Sequence, residues 1–498
     1  MSLPKIENPV PHSQRDQAAG RSLLVATVVL VALHLGKCLM FAAVGQPPLE
    51  GDAAHYWIDG QRMASGDWLL VKDGIELLRT PGYPLFGAIF QIAFGRYALV
   101  AITLGQQAMV LATAMITAWI CRRVSGSDWG GFLGLVLSLL CVSRHGVALY
   151  LLSDTLFCLL LTSAVALLVA WQQQPSALGS AGIGLLFGLA TLVRPIGQFA
   201  VVPILAAMAM QRRRGASWRL LLAHAACVLA AFAIALAPWY ARNYHYCKQL
   251  CLARVAGVTM WQSLFKGSID DRWNPAMPFA DTPNTKALLK RLEGVNLQGH
   301  WDVLRALEAQ KLTRMEANDR MQSVCIDAIQ ADPWRFVSTR LRRFLWFWIT
   351  PNGARRPATA SFHLFQERPP DAETAGLEPR ESYYDAVHWR WDGYYRDGKL
   401  NWFWFTNPCF YLVTALLTGW GLIVMGNCRS QQLIAAALAM LLLYFATMTA
   451  IGAPPEYRYR MILEPMLIVA IVQLLLERGQ WLTRKLRPEL APESVAAT

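Results

Sequence analysis

The stretch LLLAHAACVLAAFAIALAPWY, residues 220–240, contains no Asp, Glu, Lys or Arg. The hydrocarbon core of a bilayer is ~30 Å thick and takes about 20 apolar residues to cross as a helix. This stretch has that length and composition, and it is not alone. Working outward, comparable runs occupy 22–44, 97–121, 129–141, 153–171, 178–193, 196–210, 405–425, 433–451 and 462–476, with a shorter one at 83–94. The whole chain of 498 residues is 55% hydrophobic and 16% charged, against roughly 25% charged in soluble domains. An ordinary soluble enzyme is excluded. The sequence predicts an all-α polytopic membrane protein of about 10–12 transmembrane helices, with interfacial helices and a mostly helical outer loop region.

Charge sets the orientation. The net charge is +13, but Lys and Arg form short clusters between apolar runs, such as Arg122-Arg123 and Arg212-Arg213-Arg214. That pattern fixes topology and does not build a nucleic-acid surface, so membrane lipids are expected as partners and nucleic acid is not. Counting inward and outward crossings gives a cytoplasmic N-terminal tail (1–21) and an N-terminal transmembrane core (22–243) containing a polar first outer loop (45–82). An outer loop region (244–403), C-terminal transmembrane helices (404–476) and a cytoplasmic tail (477–498) follow. The first apolar run has no small-residue cleavage signature and is read as a retained helix. The run at 83–94 is short for a crossing and suits an interfacial or re-entrant helix equally. Ten cysteines are scattered without paired CxxC elements, so no metal site is expected and no metal or other cofactor is indicated. Cys247 and Cys251 lack sensibly spaced zinc partners, which leaves free thiols or a disulfide in the outer region.

With this topology, the polar residues that flank apolar runs sort to one side. Asp52, Arg79, Asp154, Arg194, Arg242, Glu456, Arg458 and Arg460 all fall at outer helix ends or in outer loops. A charge at membrane depth costs about 2.5 kcal/mol or more, so such residues commonly line a polar cavity. Each also has a plainer reading. Arg458 and Arg460 could be snorkelling anchors, Arg194 before Pro195 a helix turn, Asp154 after Ser153 a helix cap, and Arg242 after Trp239-Tyr240 an interfacial anchor. Asp52 follows Gly51 with no cation beside it in sequence, which makes a mere solvated loop acid a weaker account.

The motifs Gly51-Asp52-Ala53-Ala54-His55-Tyr56, Gly66-Asp67-Trp68 and Arg79-Thr80-Pro81-Gly82-Tyr83-Pro84 resemble the first outer loop of a glycosyltransferase superfamily, GT-C. Within it, the resemblance is to the protein O-mannosyltransferase and lipid A aminoarabinose transferase group, family 39-like. Ser153-Asp154-Thr155, Gly184 to Gly188 leading to Arg194-Pro195, Pro238-Trp239-Tyr240-Ala241-Arg242-Asn243 and Glu456-Tyr457-Arg458-Tyr459-Arg460 also look like that group, in the same order. The resemblance implies a GT-C-like bundle in a bacterial inner membrane, with the active site facing the periplasm. It implies inverting transfer of a sugar from a polyprenyl-phosphate donor, undecaprenyl-phosphate-like, to an acceptor hydroxyl on a glycan, lipid or protein. Asp52 then corresponds to the catalytic base and Arg79 to the basic residue associated with the carrier phosphate. Asp154, matching the acid of a later helix start, is assigned to positioning within the catalytic set. Guanidinium chemistry adds Arg458 as a donor phosphate ligand, and Arg242 at its outer helix end is counted with them. His55, Tyr56, Tyr83, Arg194, Glu456 and Arg460 would line the substrate cavity. The chain departs from the mannosyltransferases in having Ala53 after Asp52 and no long soluble C-terminal domain, so sugar and acceptor do not carry over.

The chemistry asks for the same parts. Inverting transfer needs a base for the attacking hydroxyl and a cation for the leaving phosphate, and guanidinium forks match phosphate oxygens. No general acid is needed for a phosphate leaving group, so glycosidase logic does not apply. A transporter or flippase for lipid-linked sugars would also gather charge in a cavity, but commonly near the bilayer midplane between paired halves. An O-antigen ligase or polymerase is the nearer rival, and the acid of the first loop argues against it.

Overall fold

A computed structural model of the chain describes residues 23–36, 49, 52–72, 74–141, 147–265, 275–349, 408–452 and 457–486. Glu456, the terminal tails at 1–21 and 487–498, and the segment 350–407 lie outside the described residues. Among those described, every regular element is a helix and none is a strand. Four stretches are long and apolar enough to cross a membrane unaided: Gly82–Ser125, Asp154–Gln173, Trp218–Cys247 and Gln432–Gly452. Shorter apolar helices accompany them at Leu23–Gly36, Asp128–Leu140, Ala177–Val193 and Tyr411–Asn427. This is a multi-pass, all-α membrane protein.

In chain order the elements are α1 (Leu23–Gly36), α2 (Asp52–Ala64), α3 (Gly82–Phe94), α4 (Ala98–Ser125), α5 (Asp128–Leu140), α6 (Asp154–Gln173), α7 (Ala177–Val193), α8 (Val201–Ala209) and α9 (Trp218–Cys247). A helical cap follows, α10 (Ala256–Phe265), α11 (Pro283–Arg291), α12 (His300–Ala309) and α13 (Arg314–Ala331), leading into α14 (Pro333–Ile349). The chain returns through α15 (Pro408–Asn427), α16 (Gln432–Gly452), the short α17 (Tyr457–Met461) and α18 (Glu464–Leu486). The last helix thus continues past residue 476 into the stretch expected as a tail.

One sequence expectation changes, and the short run at 83–94, left open between an interfacial helix and a span, forms a separate helix. The run at 83–94 is α3, which turns at Gly95 with φ +52 and doubles back: Phe90 and Phe86 lie over Gly105 of α4, where an added Cβ would meet Phe90 at 2.9 Å. The run at 196–210, read as a span, is broken. Arg194-Pro195 opens a 3-10 turn, Pro195–Phe199, α8 has nine residues, and a second 3-10 turn, Met210–Arg214, ends it. Proline at 195 cannot donate to a continuing helix, so α7 stops at Val193.

The bundle is held by close helix contacts and small residues. Gly184 and Gly188 face α9 so tightly that a Cβ at Gly184 would fall 2.0 Å from the Val228 carbonyl oxygen, and one at Gly188 2.6 Å from Ala235. Small residues four apart allow this approach where hydrophobic burial alone gives little drive, as between helices in lipid. The helix ends then sort to two poles. At one, Gln172 donates to the Ser430 carbonyl and Gln431 to the Val124 carbonyl, among Arg122, Arg123, Arg429 and Arg478. The other carries the starts of α2 and α6, the ends of α7, α9 and α16, and the cap, whose Ser263 donates to the Ile451 carbonyl. The cap has its own apolar core, including Trp261, Phe265, Leu304, Leu307, Met321 and Val324. Its helices α11, α12 and α13 are parted by positive-φ residues at Gly294 and Lys311.

Candidate active site

The loop between α2 and α3 is shaped by its charges. Asp67 accepts from Arg62 Nη2 at 2.9 Å and from the backbone N–H groups of Val71 at 2.9 Å and Lys72 at 3.2 Å. Glu76 Oε1 accepts from the N–H groups of Leu78 at 2.6 Å and Arg79 at 3.1 Å. Arg242 of α9 staples the loop from beneath, donating to the carbonyls of Leu69 at 2.9 Å, Leu70 at 2.9 Å and Glu76 at 2.8 Å. Its guanidinium lies on the Trp239 ring, 4.4 Å from the centroid. Arg242 therefore does not join the expected phosphate ligands: its donors are taken by backbone carbonyls, and it is buried at 4% exposure. The loop then runs into Thr80-Pro81-Gly82, where a Cβ on Gly82 would lie 2.7 Å from the Leu192 carbonyl. Only glycine lets this turn reach the end of α7, beside Arg194.

The stapled loop delivers Arg79 to Asp52. Arg79 Nη2 donates to Asp52 Oδ1 at 3.0 Å, and Arg458 Nη1, from α17, donates to Oδ2 at 3.3 Å. Three residues separated by up to 406 positions form one clamp. Burial alone would raise the Asp52 pKa; the charges of Arg458 and Arg79, with their hydrogen bonds, outweigh it and hold the carboxyl well below the usual carboxylate range. The Arg79 guanidinium lies over the Tyr56 ring at 4.7 Å. Tyr56 Oη is 3.0 Å from Ser153 Oγ, and Tyr83 packs edge-on against Tyr56 with centroids 4.7 Å apart. Tyr83 in turn donates to Gln106 Oε1 at 2.8 Å, and Gln106 donates to the Ala148 and Tyr150 carbonyls at 3.0 and 2.7 Å.

A second ion pair stands next to the first. Arg194, closing α7, pairs with Asp154, opening α6, and the acid is 1% exposed. Asp154 is thus no simple cap, since its helix start shows no side-chain capping bond. Tyr459 joins the pairs: its ring carries Arg194 at 5.3 Å and Arg458 at 5.1 Å. Asp52, Tyr56, Arg79, Tyr83, Asp154, Arg194 and Arg458, expected from sequence, are one connected network. His55 is at its edge, stacked on Trp301 of the cap with centroids 5.7 Å apart; burial first, then the Arg79 charge, lower its pKa. Arg460 points elsewhere. It donates to the Phe347 and Trp348 carbonyls at 3.4 and 3.3 Å and lies over the Tyr411 ring at 3.9 Å, so it ties α17 to α14 and α15 and does not line the Asp52 clamp. Alternation along the short α17 sends Arg458 and Arg460 to different neighbours.

Sequence reading missed three members. Gln106 and Tyr459 complete the network, and Gln106 was visible as a polar break in an apolar run. Asp59, seven residues after Asp52 and so two turns along the same face of α2, is 4% exposed. Its Oδ2 has no hydrogen-bond partner among the described residues. Burial, then the Glu76 charge, push its pKa up to about 7. Among the described residues no three His, Cys, Asp or Glu side chains gather as a metal cage would require. Cys247 and Cys251 are free thiols.

Among solved structures, the chain is similar to ArnT from Cupriavidus metallidurans bound to undecaprenyl phosphate, at 13% identity and TM-score 0.40, covering 94% of this chain and 81% of that one. The apo state of the same protein gives 14% identity and TM-score 0.37 over 94% and 82%. The archaeal oligosaccharyltransferase AglB from Archaeoglobus fulgidus, in complex with an inhibitory peptide and a dolichol-phosphate, gives 13% identity and TM-score 0.42 over 92% of this chain and 52% of its own. No protein-family model and no curated sequence matches the chain. Overlaps this loose do not carry a function, which has to come from the site itself.

Proposed function

We propose that this protein is a membrane glycosyltransferase of the GT-C kind, moving a sugar from a polyprenyl-phosphate carrier to an acceptor hydroxyl at the periplasmic face of a bacterial inner membrane. The observation that carries the reading is the Asp52 carboxylate held between Arg79 and Arg458. Two guanidiniums spaced to grip the two oxygens of a carboxylate are also spaced to grip two oxygens of a phosphate. The motif resemblance of the first loop and of the segment around Arg458 supports a polyprenyl-phosphate donor, and the two-pole charge pattern supports the periplasmic side.

The clamp suggests an order of events. Before donor binding, Asp52 is a poor base, because a proton must displace two arginines. Donor phosphate competes for the same guanidiniums, neutralises them and releases the carboxylate, whose pKa then rises toward the working pH. The acceptor oxygen attacks the anomeric carbon from the face opposite the phosphate. The carbon–oxygen bond to phosphate breaks, its electron pair stays on the phosphate oxygen under Arg79 and Arg458, and the hydroxyl proton passes to Asp52. Asp154 holds Arg194, and Tyr459 fixes Arg458 from the side facing that pair. No step requires a metal.

Transfer from a polyprenyl-phosphate-linked sugar in reconstituted vesicles tests the reading. Arg79→Ala should lower turnover ~10²–10³-fold, the scale of losing one charge-stabilising donor, with Arg79→Lys recovering part of it. Parental donor use by a folded Arg79→Ala protein would remove the phosphate role. A transporter reading is disfavoured because the paired charges lie at one pole and not near mid-bundle.

A further inference from the structure

The chain leaves α9 by folding back along it. Helix α9 ends at Cys247, and Lys248 follows at φ +55, its N–H donating to the Tyr244 carbonyl at 2.9 Å. A non-glycine residue rarely sits in that region unless its surroundings hold it there. The holding group is Asn243, fully buried. Its Nδ2 donates to the carbonyls of Cys251 at 2.7 Å and Leu252 at 3.1 Å, and Trp239 Nε1 also donates to the Leu252 carbonyl, at 2.9 Å. Asn243 Oδ1 accepts from Arg242 Nη1 at 2.5 Å. The residue that ties down this reversal therefore also touches the arginine that staples the first outer loop.

The reversal gathers two thiols. Asn243 and Cys247 are four residues apart in α9 and so share a face, with Cβ atoms about 5–6 Å apart. Cys251 lies against that face through its bond to Asn243. Disulfides join Cα atoms roughly 4.4–6.8 Å apart, which is the scale of this turn. Both cysteines are half-buried, neither sealed in the core nor fully open. Burial raises the Cys251 pKa above the usual thiol value, the Arg254 charge offsets part of the rise, and a charge on Cys247 adds to it, so the two sulfurs feel each other. Both are thiols in the structure, which is the reduced form.

We propose that Cys247 and Cys251 are a modification site: they close to a disulfide across the turn and brace the end of α9 from which Arg242 holds the first outer loop. The oxidant is another disulfide, that of oxidised glutathione or of a thiol-oxidising protein. One thiolate attacks it and forms a mixed disulfide, the second thiolate displaces the bound sulfur, and the oxidant leaves as two thiols. Two protons and two electrons pass from the cysteines to it. So short a loop restrains little of the unfolded chain, and the bridge acts locally. It fixes the reversal that Asn243 holds, beside Arg242 and its bonds to the carbonyls of Leu69, Leu70 and Glu76, and so steadies the segment that delivers Arg79. Closure in the cell rests on the outer-face orientation proposed above, since that compartment is oxidising; closure in a redox buffer does not.

The test uses the full chain purified in detergent and equilibrated in buffers of reduced and oxidised glutathione, quenched with acid, alkylated with N-ethylmaleimide and digested with trypsin without reduction. Cleavage after Arg242, Lys248 and Arg254 separates the two cysteines onto peptides 243–248 and 249–254. In oxidising buffer the parent should give these peptides joined, two hydrogens lighter than their sum, and reduction should part them. Cys247→Ser and Cys251→Ser should each carry glutathione on the remaining thiol instead. Parental peptides that stay separate, each alkylated or each carrying glutathione, overturn the proposal, and this arm needs no variant to fold. Hydrogen exchange reads the bracing: amides of residues 67–79 should exchange about threefold or more slower in the oxidised parent than in the reduced one, with no such difference in Cys251→Ser. A bridge that forms while exchange in that loop stays the same overturns the brace. Sugar transfer is not read in any arm, so failure here and failure of the transferase reading are told apart.

Discussion

At the scale of single residues, two acids of α2 are pushed in opposite directions by their neighbours. Asp52, between Arg79 and Arg458, stays ionised, whereas Asp59 titrates near neutrality. Asp52→Asn keeps the size of the side chain but cannot take a proton at neutral pH, so turnover in the reconstituted assay should fall at least ~10²-fold while donor binding largely persists. Near-parental transfer by that variant would reduce Asp52 to an anchor for the arginines. Asp59 makes a different prediction. Its folded pKa of about 7 lies above the ordinary value of 3.8, so the folded state holds the proton that the unfolded chain releases. Stability from this group is full below the ordinary value and is lost as pH rises through 7. Asp59→Asn removes the loss, and thermal unfolding in detergent should show the variant more stable than the parent by ~1–3 kcal/mol at pH 8, with little difference at pH 4. Equal shifts at both pH values would mean that burial of Asp59 does not couple to its charge. The clamp's acid and arginines were legible in sequence because polar residues at the ends of apolar runs are conspicuous. Asp59 was not, because in sequence it is one of several acids in a polar loop, and only burial distinguishes it.

At the scale of elements, the α7–α9 contact positions Arg194 and Arg242 at the same pole. Its closeness depends on Gly184, where a Cβ would meet the Val228 backbone at 2.0 Å, whereas at Gly182 the nearest atom is the tip of the Leu167 side chain at 2.6 Å. A backbone cannot step aside and a rotamer can. Gly184→Ala should therefore destabilise the protein by ~1–3 kcal/mol, the cost of overpacking a tight contact, and Gly182→Ala by much less. Unfolding of both variants in the same detergent compares them directly; equal losses would mean that the helices slide apart freely. Helical identity at α7 and α9 was readable from apolar length. The breaking of the 196–210 run was not, since its hydropathy matches a span and only the proline at 195 hints that the chain turns instead of crossing. The fate of Arg242 belongs to this scale too: sequence put it beside an aromatic belt, and the folded loop filled its donors with the carbonyls of Leu69, Leu70 and Glu76.

At the scale of the whole molecule, the two poles carry different cysteines. Cys428 is exposed in the turn between α15 and α16, while Cys247 ends α9 and Cys251 follows it at the pole of the Asp52 clamp. If the clamp faces the periplasm, a variant retaining Cys428 as its single cysteine should react with a membrane-impermeant maleimide only after the membrane is permeabilised. A variant retaining only Cys251 should react in intact spheroplasts. The reversed pattern would place the site on the cytoplasmic side and end the outer-face reading of the transferase.

Sequence by itself determined that the chain is helical and membrane-bound, because the cost of exposing backbone and charge to hydrocarbon leaves few ways to arrange runs of about 20 apolar residues. It also determined which pole collects the acids and arginines, since charge cannot be stored at mid-bilayer cheaply. Tertiary structure alone decided which charges meet. Arg79, Arg194, Arg242, Arg340, Arg458 and Arg460 are chemically identical side chains, yet they go to three kinds of partner: a carboxylate for Arg79, Arg194 and Arg458, backbone carbonyls for Arg242 and Arg460, and a serine for Arg340. That choice depends on directions set by helix rotation and by the stapling of a loop more than 160 residues away from Arg242 in sequence, and no local pattern encodes it.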